Sequence, residues 1–381
     1  MNFLQFLNEA GVTFGNTAYP KEGQVVILAG GAGSGKGFVL GNVLLINGKV
    51  FDVDQIKTEV MNISKVSLGD QERVFGGRGR GFEVFDNNSK RSDREMMKIL
   101  KDSNINRLFK DYLKNHYKEG EDPGTDRRVR EMLSSGKIPD IKDLELRDPA
   151  NTGVLHAFVD YLGLDKKKKN TFFGNLRDNP KLPKPNVIFD ITLKNVKNLT
   201  KIYNLVIPAG YDPKNIHLVW ILNDISVARI QNIKRGQKAG GRSVSDDILS
   251  QTHIGASKTM NDIISFFDKT VMPEVNIPVS ELIQGDVWIV PAKENVDSKV
   301  ETSTNRGAGK IVVAVNKYKL KERGKPMKTL ADIEKERYVI MSHKDYLRNL
   351  DPDNPRAMFV GLEKGGILKK INDYVPDEAK W

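Results

Sequence analysis

A glycine-rich segment between an apolar strand and an apolar helix constrains this sequence more than any other feature. Residues 25–28 (VVIL) have the length and β-branched content of a buried strand. Residues 30–37 (GGAGSGKG) follow directly, and residues 38–46 continue as a predicted apolar helix. Successive glycines allow a backbone to wrap with its N–H groups pointing inward, next to the positive end of a helix. This order of elements therefore predicts a loop that binds phosphate groups.

The lysine of this loop predicts which phosphates are bound. In the pattern G-x-x-x-x-G-K-[ST], the lysine reaches the β- and γ-phosphates of a nucleoside triphosphate, and that lysine is Lys36 here. Gly37 replaces the hydroxyl residue that usually binds Mg²⁺. ATP and Mg²⁺ are the predicted cofactors, and a glycine-rich turn that binds nothing is the alternative. The residues predicted to contact the nucleotide are Gly30, Gly31, Ala32, Gly33, Ser34, Gly35, Lys36, Gly37 and Phe38.

The amino-acid composition excludes several kinds of site and indicates which kinds of partner to expect. The 381 residues contain no cysteine, which excludes disulfides, thiolate metal sites and cysteine nucleophiles. No apolar run reaches the roughly 18 residues of a membrane span, and residues 1–14 are predicted as a short amphipathic helix and not a signal peptide. We therefore expect no membrane partner and a cytoplasmic location. The net charge of +11 favours an anionic partner such as a nucleotide or nucleic acid, with a solvated basic surface as the alternative.

The order of predicted elements indicates a fold class. Alternating strands and helices behind a phosphate loop are typical of an α/β protein with a doubly wound, mostly parallel sheet. Further strands are predicted at residues 50–51, 186–190, 216–222, 287–290, 311–315 and 338–341. Helices are predicted at about residues 91–118 and 126–135, after Asp148-Pro149, and at about residues 195–206, 225–235 and 245–267.

Changes in composition along the chain predict its domain organisation. Residues 1–64 and 181–296 are predicted to form a core of P-loop kinase type. Residues 65–180 are rich in charged residues, asparagine and glycine, and read as a largely helical insertion that carries the substrate. Within it, the Arg-Gly segment at residues 76–81 is predicted to be a mobile basic loop. Residues 297–381 follow a polar stretch and are predicted to form a small α+β appendage at the C-terminal end.

Two carboxylates follow the second predicted strand of the core. A kinase that acts on a hydroxyl needs a carboxylate to orient that hydroxyl and accept its proton. Asp52 and Asp54 are candidates, because ligands of α/β sheets bind beyond the carboxyl ends of the strands. The alternative for Asp54 is that it only caps the helix that follows.

A third carboxylate ends the next predicted strand. Asp190 follows residues 186–189 and is the candidate ligand for Mg²⁺ or its water. Thr192 and Lys194 would lie at the same rim and are candidate substrate contacts. The alternative is that only Asp190 acts and that Thr192 caps the following helix.

Clustered cations around a glycine-rich break indicate a mobile basic lid. Arg229 and Arg235 lie on a predicted helix, and Arg242 follows glycines at positions 236, 240 and 241. Several cations closing over a transferring phosphoryl group would stabilise its charge. These three arginines are therefore candidate catalytic residues, and an ordinary basic surface helix is the alternative.

Taken in order, these motifs resemble those of zeta-toxin-like P-loop kinases, which are related to nucleoside monophosphate and polynucleotide kinases. The loop GGAGSGKG is similar to GGPGSGKGT, with Ala32 for proline and Phe38 for threonine. A D-x-D-x-x-[RK] motif of that family matches Asp52, Asp54 and Lys57, which implies a catalytic carboxylate and a substrate contact at Lys57. An E-G-T-x-R-like strand end matches Asp190, Thr192 and Lys194, and an A-x-x-R helix with a basic lid matches Ala228, Arg229, Arg235 and Arg242. The similarity covers about residues 23–57 and 185–260, and the long insertion and C-terminal segment resemble bacteriophage members.

The sequence leaves three functional hypotheses. The first is transfer of the γ-phosphoryl group of ATP to a hydroxyl or phosphate of a nucleotide or nucleic-acid-like acceptor. The second is a non-catalytic nucleotide-binding protein, which the residues at positions 37 and 38 favour. The third is a toxin-like kinase that acts on a nucleotide sugar of a cell-wall precursor, which the family resemblance implies.

Overall fold

The computed structural model describes most of the first 294 residues and two short later segments. The described residues are 11–14, 17–40, 46, 48–65, 91–94, 100, 104–120, 122–223, 225–237, 241–265, 269–294, 311–313 and 341–342. Two compact units are present. Unit 1 comprises residues 1–50, 180–231 and 249–381, and unit 2 comprises residues 51–179 and 232–248.

Strands and helices alternate along much of the chain. The strands are β1 (Gly11–Phe14), β2 (Thr17–Pro20), β3 (Val25–Ala29), β4 (Lys49–Phe51), β5 (Val187–Asp190), β6 (Ile216–Asn223), β7 (Val271–Met272), β8 (Ile277–Pro278), β9 (Asp286–Glu294), β10 (Ile311–Val313) and β11 (Met341–Ser342). The helices are α1 (Lys36–Val39), α2 (Val53–Lys65), α3 (Ile105–Asn115), α4 (Pro123–Ser134), α5 (Pro149–Tyr161), α6 (Leu164–Asp178), α7 (Lys197–Val206), α8 (Ile225–Gln237), α9 (Asp246–Ser265) and α10 (Val279–Leu282).

The main sheet has seven described strands in the order β10-β9-β6-β3-β5-β4, with β11 also paired to β9. Four neighbouring strands, β5, β3, β6 and β9, are parallel, whereas β10 and β11 are antiparallel to β9. The predicted α/β class with a mostly parallel sheet is therefore confirmed. The predicted domain boundaries stay predictions.

The central strand is β3, which has β5 on one side and β6 on the other. Val25 pairs in register with Val187 and with Ile216, and all five residues of β3 are fully buried. A strand covered on both faces is apolar along its whole length, which is why residues 25–28 are recognisable in the sequence. Burial of β3 fixes the start of the glycine loop that follows it.

Unit 2 has its own apolar core, built by helices. Asn104, Asp122 and Asp148 cap α3, α4 and α5, and Pro123 and Pro149 open the last two of these helices. The core is formed mainly by buried aliphatic and aromatic side chains, including Ile56, Val60, Phe109, Tyr112, Leu113, Val129, Met132, Val154, Leu155, Phe158 and Val159. The Asp148-Pro149 pair marks the start of α5, which was predicted to follow it, whereas α4 begins three residues before its predicted start at residue 126.

Three predictions of local structure are wrong. The helix predicted at about residues 91–118 is interrupted at Asn104, which has an extended backbone and caps α3. Residues 11–14 form β1, which pairs antiparallel with β2, and not the end of an amphipathic helix; Val12, Thr13 and Phe14 have the strand preference of β-branched and aromatic residues. Residues 1–10 lie outside the described residues. Helix α8 also continues through Gly236, where a break was predicted.

Close packing gives the reason for glycine inside α8. A Cβ atom at position 236 would lie 3.1 Å from the Cβ atom of Ser243. The glycine therefore permits the close approach of another segment.

The Arg-Gly segment at residues 76–81 and most of residues 297–381 lie outside the described residues. Among the described residues, none of the helices has the length and hydropathy needed to span a bilayer.

Candidate active site

The glycine loop of unit 1 has a backbone that other residues would adopt only with strain. Gly30, Gly33 and Gly35 have φ angles of 148°, 73° and 93°. A Cβ atom at Gly30 would lie 2.6 Å from the carbonyl oxygen of Ile221, and one at Gly33 would lie 2.8 Å from that of Ala228. Glycine is needed at these positions for its conformational freedom and for close backbone approach. The loop is thus seated against β6 and α8.

Alanine substitution of two loop glycines should distinguish the need for positive φ and close backbone approach from a simple loss of backbone flexibility. Gly33→Ala should lower the free energy of unfolding by about 1–3 kcal/mol, because a side chain is strained at positive φ and would meet the Ala228 carbonyl. Gly37→Ala is the matched control, since nothing lies within 4 Å of a Cβ atom there and alanine favours a helix. Urea denaturation of the two variants tests this, and equal stability would contradict the described loop.

Lys36 folds back over the loop. Its Nζ donates hydrogen bonds to the carbonyl oxygens of Gly30 at 2.9 Å and Gly31 at 3.2 Å. It also lies 3.9 Å from Oδ1 of Asp190, which ends β5. The ammonium group is therefore held at the loop, next to a carboxylate, and the predicted binding of phosphate by Lys36 and of Mg²⁺ by Asp190 stays a prediction.

Several polar groups of the loop lack a partner among the described residues. The N–H groups of Gly35, Lys36 and Gly37 donate to none of them. The side chain of Ser34 is fully buried, and its Oγ has no hydrogen-bond partner there. Ser34 is buried, whereas Gly35 and Lys36 are half-buried and Gly37 is exposed. Backbone N–H groups at the start of a helix attract anions, so these donors fit an anion such as the phosphates of ATP. Mg²⁺ is usually bound by one or two carboxylates with substrate phosphates and water, which fits Asp190.

The segment after β5 supports the loop through its backbone. The carbonyl oxygen of Thr192 accepts a hydrogen bond of 3.3 Å from the N–H of Gly30. Thr192 does not cap α7, because Asn195 accepts from the N–H of Lys197, the first residue of that helix. Leu193 is fully buried with φ of 51°, which is unusual for a bulky residue. The segment that follows Asp190 is thus hydrogen-bonded to the first residue of the loop and contains one strained residue.

Two residues of α9 contact the loop and were not predicted. Thr252 Oγ1 accepts a hydrogen bond of 3.0 Å from the N–H of Ala32, and His253 Nε2 lies 2.8 Å from the Ala32 carbonyl oxygen. The His253 ring also occupies the space that a side chain at Gly31 would need. The sequence signal for these contacts is absent, because Thr252 and His253 follow no motif and are about 220 residues away along the chain.

Lys194 and Arg229, two further predicted residues of unit 1, contact α9. Lys194 is exposed, and its Cβ atom would lie 2.8 Å from a Cβ atom at Gly255 of α9. Arg229 is exposed on α8 and donates from NH2 to Ser250 Oγ of α9 at 3.2 Å. Both are therefore placed against α9. The side chain of Phe38 lies outside the described residues.

The two aspartates after β4 belong to unit 2 and have different surroundings. Oδ1 of Asp52 accepts a hydrogen bond of 2.8 Å from the N–H of Asp54, so the cap of α2 is Asp52. The predicted alternative that Asp54 is the cap is wrong. Oδ1 of Asp54 lies 2.5 Å from Lys57 Nζ, and its Oδ2 lies 3.1 Å from NH2 of Arg242.

These charges determine the pKa of Asp54. Burial alone would raise it, but the charges of Lys57, Arg242 and Arg235 outweigh burial and lower the pKa to about 2. Arg242 NH1 also donates to the Asp54 carbonyl oxygen at 2.8 Å. Asp54 is therefore a poor proton acceptor near neutral pH and a strong partner for cations.

Arg235 completes a basic cluster in unit 2. Its Nε donates to the carbonyl oxygen of Arg242 at 2.9 Å, and its NH2 lies 3.4 Å from Oδ1 of Asn232. Burial and the charge of Arg242 lower its pKa, which Asp54 and Asp52 oppose. The structure thus brings Asp54, Lys57, Arg235 and Arg242 together in unit 2, whereas Lys36, Asp190 and Arg229 belong to unit 1.

The lowered pKa of Asp54 predicts a pH-dependent contribution to stability. A carboxylate with a depressed pKa stabilises the fold above its unfolded value of 3.8 and loses that contribution as the pH falls through about 2. Asp54→Asn should therefore cost about 2 kcal/mol at pH 6 and much less at pH 2. Denaturation at both pH values measures this, with exposed Asp262→Asn as control. A cost that does not change with pH would contradict the ion pairs.

Comparison with known proteins adds no relative. No family model matches the chain, and no match is found among curated proteins or solved structures.

Proposed function

We propose that this chain is an ATP-dependent phosphotransferase of P-loop kinase type that uses Mg²⁺. The observation that supports this most is the glycine loop, in which Lys36 lies over the loop beside Asp190 and the N–H groups of residues 35–37 have no described acceptor. A loop of this kind binds the phosphates of a nucleotide by backbone amides and one lysine. The mostly parallel sheet places the loop directly after its central strand, as expected for such a fold.

The residues proposed to bind the nucleotide belong to unit 1. The N–H groups of residues 35–37 would bind phosphate oxygens, Ser34 Oγ is a further available donor, and Lys36 would contact the β- and γ-phosphates. Asp190 would hold Mg²⁺, which supplies charge neutralisation to the phosphates when bound. Release of Lys36 from the Gly30 and Gly31 carbonyls would free its ammonium group for the phosphates.

Of the two aspartates in unit 2, we propose Asp52 in preference to Asp54 as the general base that accepts the proton of the acceptor hydroxyl. A general base works best when its pKa is not far below the working pH. Asp54 is engaged with Lys57 and Arg242 and has a pKa of about 2, which disfavours proton acceptance. Asp52 also caps α2, which would fix the orientation of its carboxylate. Asp54 would then hold Lys57 and Arg242 in place.

The basic residues would stabilise charge during transfer. Arg235 and Arg242, with Arg229, are the proposed partners of the phosphoryl group, and Lys57, Thr192 and Lys194 are proposed acceptor contacts. The excess of cations over carboxylates in the unit 2 cluster favours an anionic acceptor. A nucleotide or a hydroxyl of nucleic acid meets this requirement, and a nucleotide sugar, as for zeta toxins, is the alternative. A cytoplasmic location, as predicted, would supply ATP.

A non-catalytic nucleotide-binding role is the second candidate. Gly37 offers no hydroxyl for Mg²⁺, and Asp54 is neutralised by cations. Transfer of labelled phosphate from ATP to nucleotides, nucleotide sugars and oligonucleotides distinguishes the two. Labelled product with one acceptor class supports the phosphotransferase, whereas ATP binding without any transfer supports the non-catalytic role.

A further inference from the structure

Two consecutive residues of α9 form hydrogen bonds with the backbone N–H and carbonyl groups of Ala32. The N–H of Ala32 donates to Thr252 Oγ1 at 3.0 Å, and its carbonyl oxygen lies 2.8 Å from His253 Nε2. Ala32 lies in the middle of the glycine loop, between Gly30 and Gly35. One residue of the loop is therefore fixed on both sides by the same turn of helix.

The donor and the acceptor of each of these hydrogen bonds can be assigned from the groups involved. Thr252 Oγ1 donates its own proton to the carbonyl oxygen of Leu249 at 2.8 Å, so its lone pairs are directed to the Ala32 N–H. Since a carbonyl oxygen only accepts, His253 Nε2 must carry a proton and donate to Ala32. His253 is only 4% exposed, and its ring fills the space beside Gly31.

Such a contact matters because of the composition of the loop. A segment with glycines at positions 30, 31, 33, 35 and 37 has many accessible backbone conformations, and ordering it on binding a ligand would cost conformational entropy. A contact that orders the loop in the free protein removes part of that cost and so raises affinity. The neighbouring Ser250 of α9 accepts from Arg229, so the same helix also positions this arginine.

We propose that Thr252 and His253 form a clamp on Ala32 that holds the glycine loop in the shape that binds the phosphates of ATP. They are positioning residues, which act through the Ala32 backbone and not on the phosphoryl group. Gly31 is part of the same device, because the His253 ring needs the space that a side chain there would fill. The part of this inference that concerns ATP rests on the proposed function.

Removal of one hydroxyl tests the clamp. Thr252→Val keeps the shape of the side chain and deletes the acceptor, so the loop should exchange its amide hydrogens faster in the absence of nucleotide. The affinity for ATP should fall by about 3- to 10-fold, the scale of one lost hydrogen bond. Thr252→Ser restores the hydroxyl and should return both measurements to the wild-type values. Hydrogen exchange of a peptide that covers residues 29–37 and a titration with ATP give the two readouts.

Controls separate the clamp from general destabilisation and from failure of the proposed function. Thr259→Val makes the same change at a buried threonine two turns further along α9 and should leave exchange of residues 29–37 unchanged. In His253→Gln, which keeps an N–H donor, the amide hydrogens of residues 29–37 should exchange more slowly than in His253→Ala. Faster exchange in Thr252→Val with no ATP binding by the wild type would support the clamp and overturn the proposed function. Unchanged exchange in both Thr252→Val and His253→Ala would overturn the clamp.

Discussion

The Lys36→Ala variant is expected to lose about 10- to 10²-fold of its affinity for ATP with Mg²⁺, the scale of a lost hydrogen bond to a charged group. Lys36 Nζ lies at the carbonyl oxygens of Gly30 and Gly31, beside the loop N–H groups that have no described acceptor. Alanine removes this charge and leaves the glycine backbone in place. Isothermal titration calorimetry with both proteins measures the difference.

A lysine of the same unit provides the control. Lys201→Ala removes one exposed positive charge from α7 and should leave ATP affinity within about twofold, because exposed charges at a distance are screened by salt. A circular dichroism spectrum should show that Lys36→Ala retains its helices. Equal ATP affinity of Lys36→Ala and the wild type would show that the loop is not the nucleotide site.

Asp52→Asn should lower the rate of phosphoryl transfer by about 10²-fold or more while ATP affinity is retained, since this is the scale of general-base loss. Asparagine keeps an oxygen that can cap α2 through the Asp54 N–H but cannot accept the proton of the acceptor hydroxyl. The measurement is the single-turnover rate with labelled ATP and the acceptor identified by the transfer assay.

Asp54→Asn is the matched comparison for Asp52→Asn. It should lower stability through the lost pairs with Lys57 and Arg242, and its transfer rate should exceed that of Asp52→Asn once both proteins are compared at a temperature where they are folded. Full activity of both asparagine variants would exclude these carboxylates as the base. A larger loss for Asp54→Asn in the folded protein would reverse the assignment.

The parts of the fold that were predictable are those that local sequence determines. The apolar run of β3 reflects its burial on both faces, and a capping aspartate before a proline marks the start of α5. The seating of Lys36 and Asp190 was predictable for a related reason, because strand ends place side chains at one edge of a parallel sheet. The first two causes lie in neighbouring residues, whereas Lys36 and Asp190 are far apart in the chain and are brought together by the parallel pairing of β3 with β5.

The parts that were missed depend on contacts between distant residues. Thr252 and His253 reach Ala32 from about 220 residues away, and a lone Thr-His pair on a helix predicts no partner. The pairing of Asp54 with Arg242 also joins residues that are far apart in the chain, and it contributes to the lowered pKa of Asp54. Gly236 was predicted to lie in a break because it begins a group of glycines. The packing of Ser243 beside it, which explains a glycine inside α8, is visible only in the fold.

The central claim is that the glycine loop binds the phosphates of a nucleoside triphosphate, and calorimetric titration of the wild-type protein with ATP, ADP and AMP tests it most directly. If residues 35–37 and Lys36 hold the β- and γ-phosphates, ATP and ADP should bind at one site per chain, and AMP, which lacks both phosphates, should bind at least about tenfold more weakly. Equal binding of all three nucleotides, or no binding of ATP in the presence of Mg²⁺, would contradict the account.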